Sequence, residues 1–472
     1  MTARALAGLA LSLWLTGCMV GPDYRRPAAS LPPAYPGATA DATPASAIQH
    51  GWWTLFNDPL LNELVGAALA NNSDVRRAVA RIEETDANLR AVDAAFLPEV
   101  DFGATANRSA YSGTVALTPP SSVPSVRNDL RFALSSSFEI DFWGKLRRSV
   151  EVARAQTLAS RYARDVVMLS LAGLTTQTYF ALRSLDAQIS TTRTTLATRD
   201  DGLNLVRRRA DAGYASDLDL RQAEGARSDA AAQLSELTRQ RAIALHQLGT
   251  LTGRLDLAVA PGDLAQLPLP ALPPAGLPSA LLERRPDLRQ AEQDLIAANA
   301  RVGIAMAVRL PSISLTGNYG GESRALGLLL DGPSRIWSIG AGLTVPVFDA
   351  GKLAALADAE RARYKQTVAT YEQTTQTAFR EVADALTNVR QIAATETELQ
   401  ASVTSAREAL RLATRRYDAG YSSFLEVLDA QRTANLSQLA LIRNRQALLS
   451  SDVDLMKALG GGWDAAETTA AK

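Results

Sequence analysis

The sequence predicts an α+β protein in which one plan, a helix, a β-hairpin and a very long helical hairpin, is used twice. Two turns with the sequence Asp-Ala-Gly-Tyr, at Gly213 and Gly420, lie roughly 207 residues apart and indicate an internal repeat. The stretch before each turn repeats apolar residues at heptad spacing, which predicts coiled-coil helices. Four shorter segments alternate apolar with polar residues, which predicts strands with one apolar face.

The composition is that of a folded chain with no sign of catalysis. Its 472 residues are 47% hydrophobic and 21% charged. Basic and acidic residues balance at 49 each, so nothing favours nucleic acid as a partner. One cysteine and two histidines, His50 and His246, leave too few ligands for a zinc or iron site. With no phosphate-binding loop or nucleophile–base pair visible, we expect no enzyme activity, no catalytic residue, no cofactor and no metal site.

The N-terminus has the layout of a secretory signal, in which Arg4 precedes an apolar run from Ala5 to Leu15. Cys18 follows Leu-x-Gly, which resembles the bacterial lipobox, where the thiol is diacylated and becomes the new N-terminus. Met19 stands where an aspartate would retain a lipoprotein at the inner membrane. We therefore expect lipidation at Cys18 and localisation to the outer membrane. An ordinary signal peptide that happens to contain a cysteine is the alternative.

The chain divides into two similar copies. Asn71 to Pro98 matches Glu283 to Pro311, since each reads as an Ala-rich helix with an apolar-Leu-Pro exit. A Pro-rich bridge separates the copies. The predicted boundaries are a signal peptide at 1–17, a lipidated extended segment at 18–58, a first repeat at 59–260 with a hairpin at 99–142 and a turn near 213, a linker at 261–280, a second repeat at 281–460 with a hairpin at 312–348 and a turn near 420, and a tail at 461–472.

The long helices carry a heptad seam. Stepping by three and four back from Tyr417 gives apolar residues as far as Val382, interrupted by Glu396. The same register in the first copy includes Arg199. A strict seven-residue repeat implies left-handed coiled-coil packing, and a helix of about 67 residues would span on the order of 100 Å. A soluble fibrous coiled coil would share this feature, so the strands must decide between the two classes.

In the second predicted strand the apolar set runs from Leu130 to Phe142, and in the fourth from Trp337 to Val347. Strands of about 10 residues with one apolar and one polar face suit a membrane β-barrel with a wet lumen. Four strands cannot close such a barrel, and open edges are not tolerated in lipid, so several chains must share one. Hairpins on a soluble core would alternate in the same way. The expected localisation to the outer membrane favours the barrel over hairpins on a soluble core.

The chain resembles the TolC-type outer-membrane efflux proteins, most closely their lipidated OprM/NodT-like branch, over essentially the whole mature sequence. The resemblance rests on the lipobox, on Gly51 to Ala78, on Leu281 to Glu292, and on the two turns with Val427 to Arg432. It implies an α+β membrane protein: a homotrimeric 12-stranded β-barrel, four strands per chain, continued by a long α-helical barrel of coiled coils with a small mixed equatorial region.

The same resemblance implies a function and partners. The function is that of the outer-membrane channel of a tripartite efflux system, which passively exports drugs or other toxic small molecules. The implied partners are a periplasmic adaptor (membrane-fusion) protein, an inner-membrane pump of the RND type and outer-membrane lipid. A structural or adhesive coiled-coil lipoprotein, which would conduct no ions, is the alternative.

The resemblance also assigns roles to the turns. Gly213, Ser216, Gly420 and Ser423 match positions where the adaptor docks.

For the periplasmic gate, Leu425 matches an apolar constriction, while Glu426 and Asp429 match carboxylates that repel one another across a three-fold axis and favour cations. Tyr417 and Asp219 match a hydrogen-bonded pair that links neighbouring coiled coils in the closed state. The first copy departs from this pattern, because it has Gln222 where the second has Asp429.

Overall fold

The computed structural model describes residues 19–28, 31–36, 51–110, 112, 126–271, 276 and 278–461. The predicted signal peptide, Cys18, His50 and all but the first residue of the predicted tail lie outside them. The described chain forms two compact units, which are treated separately. The helices are α1 (Pro59–Asn71), α2 (Ser73–Asp93), α3 (Lys145–Asp211), α4 (Asp217–Thr252), α5 (Leu281–Arg284), α6 (Pro286–Ala307), α7 (Lys352–Asp418) and α8 (Phe424–Ala458).

The first unit, Met1–Pro27 with Ile82–Ala159 and Ala291–Tyr371, contains one antiparallel sheet. Its strands are β1 (Glu99–Ala110), β2 (Val126–Ile140), β3 (Ser312–Ser323) and β4 (Arg335–Thr344), in that order across the sheet. The two predicted hairpins therefore pair with each other through β2 and β3. The fourth strand is shorter than its alternating pattern, because Pro346 has no N–H to donate to a neighbouring strand.

The register gives this sheet two chemically distinct faces. One cross-strand row joins Phe102, Leu134, Tyr319 and Trp337. Cross-strand partners lie on the same side of a sheet and successive residues alternate sides. The apolar face therefore carries the side chains of Val100, Phe102, Leu130, Phe132, Leu134, Phe138, Ile140, Ile313, Leu315, Tyr319, Trp337, Ile339 and Leu343.

The opposite face of the sheet is polar. The neighbouring row joins Asp101, Ser135, Asn318 and Ser338. Hydroxyl, amide and carboxylate groups thus follow one another across all four strands. The alternation predicted from the sequence is confirmed in every strand, and the apolar side chains of both repeats share one face.

The two long helices have the predicted length of 67 residues each. Both begin after an aspartate and a glycine with positive φ. The Asp141 carboxylate accepts hydrogen bonds from the N–H groups of Leu146 and Arg147, at 2.9 and 3.0 Å. Asp349 accepts a 2.9 Å bond from Leu353 at the start of α7. The Asp-x-x-Gly-Lys and Asp-x-Gly-Lys segments therefore act as helix starts, where free N–H groups need an acceptor.

The second unit, Ala28–Arg81 with Ser160–Gln290 and Glu372–Lys472, holds the main apolar core. Trp52 and Phe56 are fully buried in it, and the Phe56 ring meets Phe180 edge to face at 4.9 Å. Asp58 caps α1 and also accepts a hydrogen bond from the Tyr179 hydroxyl. The Gly-Trp-Trp segment on which the family resemblance partly rests is thus a packing element.

An ion cluster around the buried Arg285 explains the Glu-Arg-Arg-Pro-Asp segment of the same unit. The Arg285 guanidinium donates to Asp287 and to Glu381, each at 2.7 Å, and to the Ala458 carbonyl at 3.1 Å. A buried arginine needs such partners, because an unpaired charge in the interior is costly. Within the described residues, no helix has an apolar stretch of the length needed to cross a membrane.

Candidate functional site at the two turns

The two turns share one backbone design. Gly213 and Gly420 have φ of 74° and 79°, a left-handed conformation that glycine adopts without the strain of a side chain. Each glycine N–H bonds the carbonyl three residues back, at 2.9 and 3.0 Å, and the following Tyr214 or Tyr421 N–H bonds the carbonyl five residues back, at 2.7 and 2.8 Å. This is the Schellman motif, which ends a helix and reverses the chain.

An apolar cluster joins the two turns within one chain. We call it the tip cluster. Its residues come from α3, α4, α7 and α8, with Ala215 from the first turn, so the ends of both helical hairpins pack as one body. Its buried members are Val206, Ala223, Phe424, Val427 and Leu428, with Leu203, Ala215, Leu220, Ala226 and Tyr417 packed against them.

Tyr417 lies at the edge of the tip cluster. Its ring centroid is 5.4 Å from that of Phe424, and the Arg209 guanidinium carbon lies 4.9 Å from the Tyr417 ring centre. A guanidinium over an aromatic face gains electrostatic attraction from the ring quadrupole. Both contacts use the ring and leave the hydroxyl group available.

The predicted docking serines differ in their bonding. Ser216 caps α4 in a capping box: its Oγ accepts from the Asp219 N–H at 3.2 Å, and Asp219 Oδ2 accepts from the Ser216 N–H at 3.2 Å and from its hydroxyl at 2.8 Å. Ser423 occupies the equivalent N-cap of α8 without a side-chain cap bond. Within the described residues no hydrogen bond joins Asp219 to Tyr417, and Asp219 Oδ1 stays unused.

Three of the five predicted gate residues lie on one face of α8, whereas Tyr417 belongs to α7 and Asp219 to α4. Leu425, Glu426 and Asp429 are exposed, while Val427 and Leu428, on the opposite face, enter the tip cluster. Positions three and four apart neighbour each other on a helix, so the leucine and both carboxylates form one patch. Asp429 pairs with Arg432, and this exposed pair contributes little to stability.

Several features of the tip region were missed by sequence reasoning. Tyr214 and Tyr421 are largely exposed at the two tips, although the repeated Asp-Ala-Gly-Tyr motif was a signal that could have singled them out. Phe424 and the Arg209–Tyr417 contact had no such signal, because both depend on how separate helices pack.

The two charged residues that interrupt the seams, Arg199 and Glu396, have different surroundings. Burial lowers the pKa of Arg199, and the charge of Asp229 partly offsets this effect. Glu396 pairs with Arg445 at 3.5 Å, and Arg445 donates to the Leu267 carbonyl at 2.9 Å. The second seam is thus interrupted where it meets the linker between the repeats.

Comparison with known proteins extends over both repeats. A family model described as outer membrane efflux protein matches residues 64–254 and 277–461. The outer membrane protein OprJ of Pseudomonas aeruginosa is 36% identical over 466 residues, covering 98% of this chain and 96% of that protein. The toluene efflux pump outer membrane protein TtgF of Pseudomonas putida is 36% identical over 467 residues, covering 97% and 96%.

A solved structure shows the same fold. The CmeC outer membrane channel of Campylobacter jejuni superposes with a TM-score of 0.87 at 28% identity, covering 96% of this chain and 97% of that chain.

Proposed function

The chain belongs to the outer membrane efflux protein family, and from this premise we propose that its two turns form the gated, adaptor-binding end of an export channel. The protein is the outer-membrane channel component of a tripartite efflux system and not an enzyme. Such channels are trimeric and work with an adaptor and an inner-membrane pump.

The sheet supplies the membrane part of the channel. β1 and β4 are edge strands, each with one side unpaired in the single chain. Three copies joined edge to edge would close twelve strands into a barrel, which leaves no open edge in lipid. The apolar face then meets lipid and the polar face lines the passage.

The exposed patch of Leu425, Glu426 and Asp429 is the observation that carries the gate assignment. The tip cluster fixes the first turns of α8, so this patch is held on a rigid support. Three copies around an axis would bring three leucines and six carboxylates together. The leucines would narrow the opening, and the carboxylates would repel one another and favour cations.

Adaptor docking is proposed at the turns themselves, with Gly213, Ser216, Gly420 and Ser423 as the contact positions. All four are exposed. The two repeats of three chains would present six turns in a ring, which is why we propose that the turn occurs twice in the sequence.

Lipidation is proposed at Cys18 from the segment that follows it. The Val20 N–H donates to the Trp143 carbonyl at 3.1 Å, and Asp23 pairs at 2.9 Å with the buried Arg148. Arg26 pairs at 2.6 Å with Glu292. These contacts hold the segment beside the end of β2, so an acyl chain on Cys18 would lie near the membrane.

The cargo and the pump are proposed by class. The relatives' names include toluene, solvent and antibiotic efflux. We infer that drugs and small toxic, largely apolar molecules pass through this channel and that the pump is of the RND type. A wide channel has little need to recognise its cargo, so we propose that the pump selects it.

Single-channel conductance in a planar bilayer tests the gate. We expect a small, flickering current that grows in Glu426→Gln/Asp429→Asn, because the variant removes the Asp429–Arg432 ion pair and the charged acceptors that the tip offers to neighbouring chains, and this loss outweighs the relief of repulsion. Glu398→Gln/Glu408→Gln is the matched control, since both residues are exposed on α7 away from the turn, and its current should stay unchanged.

Two results would contradict the proposal. A current that is equal in the gate variant and the control would show that the patch does not gate. No current from any variant, after insertion of the sheet has been verified, would favour the structural lipoprotein.

A further inference from the structure

The connection between β3 and β4 has a fixed structure of its own. We call residues 324–334 the leucine loop. It contains two short 3-10 turns, Leu326–Leu328 and Gly332–Ser334. The Ser334 hydroxyl donates to the Leu328 carbonyl at 2.7 Å, and the N–H groups of Leu328, Leu329, Asp331 and Ser334 all bond carbonyls inside the loop. Part of its polar backbone is therefore satisfied within the loop itself.

The leucine loop folds back onto the apolar face of the sheet. Gly321 pairs with Phe132 across the strands, so both belong to the apolar face. A β-carbon added at Gly321 would lie 2.5 Å from the Leu329 carbonyl oxygen and 2.8 Å from the Phe132 ring. Loop and ring thus crowd the same side of Gly321, and only glycine leaves room for the loop to sit there.

The leucine loop presents an apolar surface that extends the apolar face. Leu326, Leu328 and Leu330 are 75%, 47% and 86% exposed. Removing leucine side chains from water is favourable, so three exposed leucines on one short loop indicate a surface that is covered in the working protein. Arg324 and Arg335 flank the leucines, and within the described residues neither has an ion-pair partner.

We propose that the leucine loop inserts into the outer leaflet of the membrane, with its leucines among the acyl chains and Arg324 and Arg335 bound to the phosphates of anionic lipid. The inference rests on the proposed function, in which the apolar face meets lipid. Lipid is favoured over a second copy of the chain because the loop lies on that face and arginines flank its leucines, the arrangement that suits an interface with charged headgroups. Guanidinium groups bind phosphate through paired hydrogen bonds.

Fluorescence quenching in lipid nanodiscs tests the proposal with the full-length trimer. A cysteine is introduced at Leu330, labelled with a small environment-sensitive fluorophore, and exposed either to lipids that carry a quencher on the acyl chain near the headgroup or to aqueous iodide. Two positions serve as references: Ile339 on the apolar face, 85% exposed, and Leu255 in the second unit, 86% exposed. Label on the parent chain corrects for any reaction at Cys18.

We expect the label at 330 to lose as large a fraction of its fluorescence to the quencher lipid as the label at 339, and to be shielded from iodide. The label at 255 should show the reverse. Strong iodide quenching at 330 with lipid quenching at 339 would overturn the loop proposal alone. Shielding at 330 from both quenchers would overturn it in favour of packing against a neighbouring copy. Absence of lipid quenching at 339 would instead contradict the proposed function.

The arginines are tested in nanodiscs of zwitterionic lipid with or without anionic lipid. Lipid quenching at 330 should increase when anionic lipid is present, and Arg324→Gln/Arg335→Gln should abolish that increase while quenching at 339 stays the same. Equal quenching in both lipid mixtures would overturn the assignment of the arginines to phosphate. Preparation with lipopolysaccharide or with an anionic phospholipid then distinguishes the source of the phosphate.

Discussion

The two helical turns have the same backbone and use their side chains differently. At the first turn, Ser216 and Asp219 bond each other and close the N-terminus of α4. At the second, Ser423 and Glu426 occupy the same N-cap and N3 positions, yet no side-chain cap bond forms. Asp219 therefore caps its own helix, whereas Glu426 is exposed. The two copies of the turn therefore differ in one respect: the N3 carboxylate caps its helix in the first copy and makes no cap bond in the second.

The second turn compensates for its missing cap by packing. Phe424 follows Ser423 and enters the tip cluster, whereas Asp217, at the equivalent position of the first turn, is exposed. Serine followed by glutamate at N3 is the usual capping-box pair. Both residues are present in the second turn, so the missing cap hydrogen bonds depend on the surrounding packing and not on the residue types. Burial of the Phe424 ring holds the start of α8 in place, so Glu426 is not needed to cap this helix.

The largest expected effect follows from replacing that ring. Phe424→Ala should destabilise the tip by about 3 kcal/mol per chain, since truncating a buried phenylalanine loses transfer energy and leaves a cavity. Asp217→Ala, its counterpart in the first turn, should cost far less because the side chain is exposed. Hydrogen exchange of the first turns of α8 and α4 measures both. Equal protection losses in the two variants would contradict this account of how the turns are held.

A second contrast lies further along the two return helices. α8 buries Asp452 where the repeat register places Leu245 in α4. Burial raises the pKa of Asp452 from 3.8 to about 7, and the charge of Arg445 opposes this shift only in part. The native state therefore holds a proton that the unfolded chain releases between about pH 4 and pH 7, and stability falls as pH rises through this window.

Asp452→Asn should remove that dependence. Relative to the parent protein, the variant should gain stability on the order of a few kcal/mol per chain as pH rises from about 4 to about 7. Thermal unfolding of the purified trimer, followed by its helical circular dichroism at several pH values, measures the difference. Asp454→Asn, an exposed neighbour on α8, is the control and should leave the pH profile unchanged. If the unfolding temperatures of the parent and the variant changed with pH in parallel, Asp452 would not be protonated in the native state.

The two docking serines give a smaller and more discriminating test. Ser216→Ala removes a formed cap and should cost about 1 kcal/mol in α4, whereas Ser423→Ala should cost little because its hydroxyl makes no cap bond. If both serines contact the adaptor, both variants should bind it more weakly, but only the first should lose hydrogen-exchange protection. Adaptor binding to immobilised trimer measures the first effect. Unchanged binding of both variants would show that the adaptor contacts other parts of the turns.

The sequence predicted most of the long-range plan because that plan is periodic. The two helices of 67 residues and the common apolar face follow from heptad and two-residue repeats, which every residue in the segment reinforces. Features decided by a single contact could not be predicted. The open cap at Glu426 depends on Phe424 packing between helices distant in sequence. The fold-back of the leucine loop depends on the space at Gly321, and no periodic pattern reports a contact of that kind.

The smallest expected effect concerns the Tyr417 hydroxyl. Tyr417→Phe keeps the ring that contacts Phe424 and Arg209, so the stability of the tip cluster should not change. Asp219 uses only Oδ2 in its cap, which leaves Oδ1 able to accept a hydrogen bond from a tyrosine of a neighbouring hairpin.

Loss of such a bond would weaken closure by about 1 kcal/mol per chain, and single-channel conductance should rise. Tyr421→Phe, largely exposed at the same turn, is the control and should leave the conductance unchanged. If Tyr417→Phe conducts like the parent protein, Asp219 serves only its own helix. The first turn would then take no part in gating, which would belong to the second turn alone.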